Sequence, residues 1–314
     1  MERYNKYSSY LKDLYGEKVY KIPVNLPLTC PNRDGEVAHG GCTFCGEVAT
    51  GFEALDNDLS VRTQLETNIE KMTKRYKAKK YIAYFQNFTN TYLPLNEFKT
   101  YLEEACIEDV VEICISSRPD CINDAYLEIL KDIESRFSVN ISVELGLQSM
   151  DHKTLSQINR GHSLAEFIDA VMRIKKYGFK VGVHLILNLP WDDLEDTIET
   201  AKVMSALDID LIKIHSLYIL KNTKMGDDYL NNAFTVESVD SYVDKVVSFI
   251  SYTQSKVAFQ RLLGRAPKEE TLFCNWNMSW WKIQDMIEMK LENSNIVQGD
   301  HCDYLNGKAV KKFI

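Results

Sequence analysis

No stretch of this sequence is apolar for long enough to cross a bilayer. The most apolar run, VGVHLILNLPW at 181–191, is about half of what a spanning helix needs. The opening residues, MERYNKYSSYLKDLY, alternate charge with tyrosine and hold no apolar core of signal-peptide type, so no membrane is involved and the cytoplasm is the expected compartment. Internal repeats, low-complexity tracts and Pro/Ser-rich linkers are missing, which argues against solenoid and beaded architectures. Positive charge is also in short supply. With 37 Lys and Arg against 45 Asp and Glu, the net charge is −8, and no global field draws the chain to nucleic acid. A local basic patch stays open as an alternative. KMTKRYKAKKY at 71–81 is the candidate, although such a run is more often the solvated end of a helix.

What is present is ordinary globular composition, 45% hydrophobic and 26% charged over 314 residues. That length suits one large α/β barrel or two modest domains. Runs rich in Val, Ile, Tyr and Phe mark strands at 19–26, 81–87, 111–117, 140–149, 180–190 and 210–220. Several are near-continuously apolar, as parallel strands covered on both faces require. Between them, apolar spacing near 3.6 marks helices at 60–77, 95–107, 123–133, 163–177 and 193–206. Ser60, Asn123, Ser163 and Asp192 or Asp193 stand at N-cap positions, and Gly178 at a C-cap. Strands alternating with helices give βαβ units and a parallel sheet, either a partial barrel or a doubly wound sheet. The boundary falls near 230, and residues 231–314 read as a mostly helical C-terminal extension over an open edge or barrel mouth.

Eight cysteines in a reducing compartment are not disulfide staples. Cys106, Cys114, Cys121, Cys274 and Cys302 are scattered and read as small buried hydrophobes. Cys30, Cys42 and Cys45 are different, because they share one glycine-rich loop, TCPNRDGEVAHGGCTFCG, four residues beyond the first strand. Functional groups of parallel α/β folds collect at such strand ends. Four readings compete: buried thiols, a zinc site closed by His39, a thioredoxin-like redox pair with Cys30 to spare, and a 4Fe–4S cluster on three thiolates. The last accounts for all three cysteines and leaves one iron open to a small molecule.

The C-x11-C-x2-C spacing, with Phe44 before the last cysteine, resembles the long-spaced cluster loop of radical S-adenosylmethionine (SAM) enzymes. It is closest to the branch of the Elongator catalytic subunit and oxygen-independent coproporphyrinogen oxidase. The ordered words KIPVNLPLTCPNRDG, YFQNFTNTY, SSRPDCI, VELGLQS, NRGH, HLILNLP and KIHSLYILKNT are similar to the YtqA/MnmL-type subgroup across nearly the whole chain. The resemblance implies a partial (β/α)6 TIM-type barrel over 1–230 and an enzyme that cleaves SAM reductively to a 5′-deoxyadenosyl radical. It also implies Cys30, Cys42 and Cys45 as cluster ligands.

Carried over position by position, the resemblance implies SAM contacts at Phe44, Gln86, Asn87, Ser116, Arg118, Glu144, Gln148, Arg160 and His184. Several have a structural alternative: Arg118 pairs equally well with Asp120, and His184 reads equally as a satisfied core histidine. Gln86 and Asn87 stand where a glycine pair is usual, and NLPWDD replaces GLPGE, so side-chain roles there depart from the pattern. Lys213 and His215 fall on the substrate side as polar or proton-handling groups. The implied substrate is tRNA, through maturation of carboxymethylaminomethyl-2-thiouridine at the wobble position toward the aminomethyl and methylaminomethyl forms. Flavodoxin or ferredoxin as reductant and a downstream methyltransferase go with that pathway. A basic path at 71–81 with Lys308, Lys311 and Lys312 would meet phosphate, and Trp191, Trp276, Trp280 or Trp281 would stack on a base. A small-metabolite or peptide substrate, or a non-catalytic zinc- or cluster-bearing adaptor, are the alternatives.

Overall fold

The computed structural model describes residues 2–46, 54–266 and 268–313. Nine strands lie among them: β1 (Val19–Val24), β2 (Lys80–Phe85), β3 (Val110–Ser117), β4 (Asn140–Gln148), β5 (Lys180–Ile186), β6 (Leu211–His215), β7 (Tyr218–Leu220), β8 (Ala258–Arg261) and β9 (Thr271–Cys274). Their order in the main sheet is β1-β2-β3-β4-β5-β6-β8, while β7 pairs with β9 separately. The pairs β1–β2, β2–β3, β3–β4 and β6–β8 are all parallel. Helices return the chain between strands, notably Val61–Tyr76, Leu95–Ala105, Asp124–Phe137, Leu164–Lys176 and Leu194–Ala206.

Helix starts follow local chemistry. Ser60, Asn123, Ser163 and Asp193 each accept a hydrogen bond from a backbone N–H of the first turn, and Ser163 and Asp193 form full capping boxes with Glu166 and Asp196. Gly178 follows the helix Leu164–Lys176 at φ +80, the left-handed position that ends a helix. None of the described helices is long and apolar enough to cross a membrane.

The chain divides into two compact units. One comprises Ser8–Leu147 and Ser156–Val183, the other Met1–Tyr7, Gln148–Leu155 and His184–Ile314. In the first, strand alternation sorts the side chains cleanly. One sheet face carries Ile22, Val24, Ala83, Phe85, Ile113, Ile115, Ile141 and Val143, all buried. The opposite face carries Lys21, Tyr84, Glu112, Cys114, Ser116, Ser142 and Glu144. Buried polar groups must be paired, and these are. Glu112 accepts from Tyr15 and Ser142 at 2.6 Å each, and Glu144 forms an ion pair with Lys21. The second unit buries its own core, including Val246, Phe249, Ile250, Phe259 and Leu262.

Candidate functional site

Beyond β1, Cys30 precedes a single helical turn, Pro31–Asp34, whose proline at the first position suits a helix start. Gly35, Gly40 and Gly41, all at positive φ, then reverse the chain. Gly41 N–H donates to Asn32 O at 2.8 Å, and Cys45 N–H closes the next turn on Cys42 O at 2.9 Å. Phe44 lies half-buried in that turn.

Residues 158–162 hold this loop. Thr43 N–H donates to Ile158 O at 3.0 Å, and Asn159 donates its amide to Gly41 O at 2.8 Å. In return, the Asn32 amide donates to Asn159 O at 2.6 Å. Gly161, at φ +79, faces Asn32 so closely that an added Cβ would stand 2.3 Å from Asn32 Oδ1. The NRGH segment is thus keyed into the cysteine loop.

The thiols sit among N–H donors. Cys42 Sγ receives Arg160 Nη1 at 3.4 Å and Asn32 Nδ2 at 3.5 Å, and Arg33 Nη1 lies 4.0 Å from Cys45 Sγ. Burial first, then the neighbouring Cys42 and Cys30, push the Cys45 thiol up to about 11 against the pull of Arg33 and Arg160. Thiols that oppose one another's ionisation need a positively charged centre to bind together as thiolates. Among the described residues no three Cys, His, Asp or Glu side chains converge tightly enough for one ion. A cubane asks something different, since each sulfur takes its own iron, and N–H donors aimed at sulfur tune such clusters. The donor set therefore fits a cluster, while His39 is exposed and lies against Gly35.

Two further cations face the loop. Arg118, 2% exposed, forks onto Asp120 at 2.8 and 2.7 Å, the local pairing open from sequence. Its remaining nitrogen, Nη1, is buried with no hydrogen-bond acceptor. Arg160 donates Nε and Nη2 to Gly146 O at 3.1 and 2.6 Å, so only Nη1 points at sulfur.

His162 joins the same carbonyl, with Nε2 3.1 Å from Gly146 O. Burial first, then Arg160 and Arg118, lower its pKa to about 3, so the ring is neutral. The unfolded chain takes up this proton near pH ~6.5, while the folded chain refuses it until far lower pH. Stability from this site is complete above that value and lost as pH falls toward about 3. Between pH ~6.5 and ~4.5 the loss is about 2 kcal/mol. Urea melts of wild type and His162→Gln should show the variant less sensitive to acid over that window. Equal acid sensitivity would remove the neutral-histidine assignment.

The ends of β2 and β3 are braced by a residue the sequence did not single out. Asn90 Nδ2 donates to Phe85 O, Asn87 O and Ser116 O at 2.9–3.0 Å. Asn87 donates to Asn25 Oδ1 at 2.5 Å, and Ser116 Oγ to the Tyr84 hydroxyl at 3.2 Å. Thr89 Oγ1 and Asn90 Oδ1 are buried with no partner. Gln86 ends this stretch half-buried. Glu144 is bound to Lys21, and Gln148 ends β4 with its backbone at φ +78, a strained conformation of the kind held at functional sites.

In the other unit, β5, β6 and β8 present His184, Lys213, His215 and Arg261. The two histidine rings lie 5.5 Å apart. Arg261 Nη2 is 2.8 Å from His215 Nδ1 and 3.0 Å from Nε2, and Lys213 is Arg261's partner in register. Arg261 escaped sequence reading because its strand is only four residues long. Asn188, just after β5, accepts from Leu217 N–H at 2.6 Å and so ties that segment to the one after β6. Three of the basic residues expected to meet phosphate are locally paired, Lys74 with Glu70, Lys79 with Glu17 and Lys308 with Asp303.

Residues 30–203 match the model of the Radical SAM superfamily, and residues 209–293 match the Radical_SAM C-terminal domain. Protein YtqA of Bacillus subtilis (strain 168) is 36% identical over 299 residues, covering 95% of this chain and 92% of that protein. A tRNA uridine(34) acetyltransferase of Methanocaldococcus infernus is 26% identical over 158 residues, 49% of this chain and 28% of that enzyme. The structure of the archaeal Elp3 of Methanocaldococcus infernus with an N-terminal deletion superposes with a TM-score of 0.69 at 16% identity, over 89% of this chain and 64% of that one. At that identity the likeness concerns the fold, which is the α/β partial barrel expected from the sequence.

Proposed function

This chain belongs to the radical SAM superfamily, an enzyme class built on a 4Fe–4S cluster and SAM, and we propose that its substrate is the wobble uridine of tRNA. The observation that carries this reading is the 26% identity, over 158 residues, to a tRNA uridine(34) acetyltransferase. The finer reading is conversion of carboxymethylaminomethyl-2-thiouridine toward the aminomethyl form, which a methyltransferase then completes. Flavodoxin or ferredoxin supplies the electron.

In this reading Cys30, Cys42 and Cys45 hold the cluster. When bound, the cluster and SAM together would supply radical chemistry for removing hydrogen from a substrate. The residues around them bind and orient. Asn32 and Arg160 donate to Cys42 and fix the sulfur lone pairs. Arg118 holds one unspent donor, Nη1, in a buried place beside the thiols, suited to the carboxylate of SAM's methionine moiety. Asn90 Oδ1 and Thr89 Oγ1 are unspent acceptors for its amine. Gln86, Asn87, Ser116 and Glu144 of the first unit, and Gln148 and His184 of the other, are each proposed SAM contacts. Lys213, His215 and Arg261 serve the substrate side, with the Arg261 guanidinium held against the His215 ring.

Mass spectrometry of wobble nucleosides provides the test. Cells without this protein should accumulate carboxymethylaminomethyl-2-thiouridine and lose the aminomethyl-derived products. An unaltered nucleoside profile would discard the tRNA reading.

A further inference from the structure

The four tryptophans have separate fates. Trp276 is half-buried between Tyr242 and Phe273, and its Nε1 donates to Glu237 O at 2.7 Å. Trp191 packs against Phe234 at 5.9 Å. Both are spoken for by structure. Trp280 and Trp281, consecutive residues opening the helix Trp280–Asn293, stack on each other at 3.6 Å with 29° between planes. The Arg265 guanidinium lies 4.5 Å over the Trp280 ring. A guanidinium and an indole cannot share one face, so Trp280 is sandwiched between them. Trp281 therefore offers its outer side to solvent and is 62% exposed.

Stacked on its partner ring, this indole presents a flat aromatic face to solvent. Its neighbours are charged: Arg265 and Lys282 are both exposed. An apolar protein partner would have to bury those two cations, whereas a nucleotide satisfies both features. Its base stacks on an aromatic face, and its phosphate meets the cations. Base stacking needs no particular sequence, since every base has a π-face.

We infer that Trp281, braced by Trp280 and Arg265, is a stacking platform for an unpaired base of an RNA substrate. This rests on the tRNA reading and extends it, placing one contact outside the chemistry of the cysteine loop. The contact positions the RNA and takes no part in bond making.

The test uses the full chain with its cluster and a fluorescein-labelled anticodon stem-loop, followed by anisotropy. Trp281→Ala should weaken binding by about tenfold, and Trp281→Phe should keep most of the affinity. Because stacking releases no counterions, the salt dependence of binding should be the same in wild type and Trp281→Ala. Cleavage of SAM without RNA should be unchanged in both variants. Undiminished affinity in Trp281→Ala overturns the platform, and so does an equal loss of affinity for a fully paired duplex. The tRNA reading fails separately, through an unaltered wobble-nucleoside profile in cells without the protein. If that profile is altered and Trp281→Ala restores it at wild-type RNA affinity, only the platform is lost.

Discussion

Gly161→Ala should unfold at markedly lower denaturant and lose most of its iron, although the glycine contributes no side chain. Two costs add at this position. Alanine at φ +79 is strained by about 1 kcal/mol. The larger cost is steric, since the new methyl would meet Asn32 Oδ1 at 2.3 Å and Val37 Cγ1 at 2.8 Å. Relief requires Asn32 to leave, which gives up its bonds to Asn159 O and Cys42 Sγ. The alternative is retreat of residues 158–162, which frees Thr43 N–H and the Gly41 carbonyl. A buried polar group left unpaired costs about 1–3 kcal/mol, so a total near 4 kcal/mol is expected. Gly178→Ala is the matched control. Its φ is +80 and nothing stands within 4 Å of the added Cβ, so it carries the backbone cost alone. The two variants compared by denaturant unfolding and by iron content after anaerobic purification isolate the steric key. Equal losses in both would show that the NRGH segment does not hold the cysteine loop.

That key also marks where sequence reading stops. The three cysteines were legible because a two-residue spacing within a turn-rich loop is a local pattern. The residues that hold them were not, because Asn32 and Asn159 meet across 127 positions. Strand and helix positions were legible for a similar reason. The periodicity of β1 to β6 and the caps at Ser60, Asn123, Ser163 and Asp193 are written within a few residues. β8 and β9, four residues each, carry too short a period, and β8 forms by pairing with distant β6 and, at Phe259, with Lys6. Residues 210–220 read as one strand and are two, because pairing breaks at Ser216 and Leu217, with β6 in the main sheet and β7 paired with β9. The strands looked apolar throughout because their few polar residues are spread over four segments. Only in register do Lys21, Tyr84, Cys114, Ser116 and Glu144 become one polar face.

On that face, removal of one carboxylate should have a large effect on stability. The Glu144 side chain is fully buried and pairs with Lys21. Lys21 Nζ also lies 4.3 Å from the centroid of the Tyr84 ring and 3.7 Å from Cys114 Sγ. Burial disfavours the ammonium, and the neighbouring Cys114 and Glu144 more than offset it, so the Lys21 pKa is raised. Glu144→Ala removes its main counter-charge where the lysine side chain is only 17% exposed. Breaking one side of a buried pair costs about 3–5 kcal/mol. The double variant Lys21→Met with Glu144→Leu should recover at least half of that loss, because well-packed apolar groups can replace a buried pair without net cost. Glu144→Gln separates this role from the proposed contact with SAM. If the carboxylate serves Lys21, the amide should lower the melting temperature while the KM for SAM holds. A raised KM at unchanged melting temperature would instead assign Glu144 to the cofactor. Strict additivity of the two single losses would show that Lys21 and Glu144 do not depend on each other.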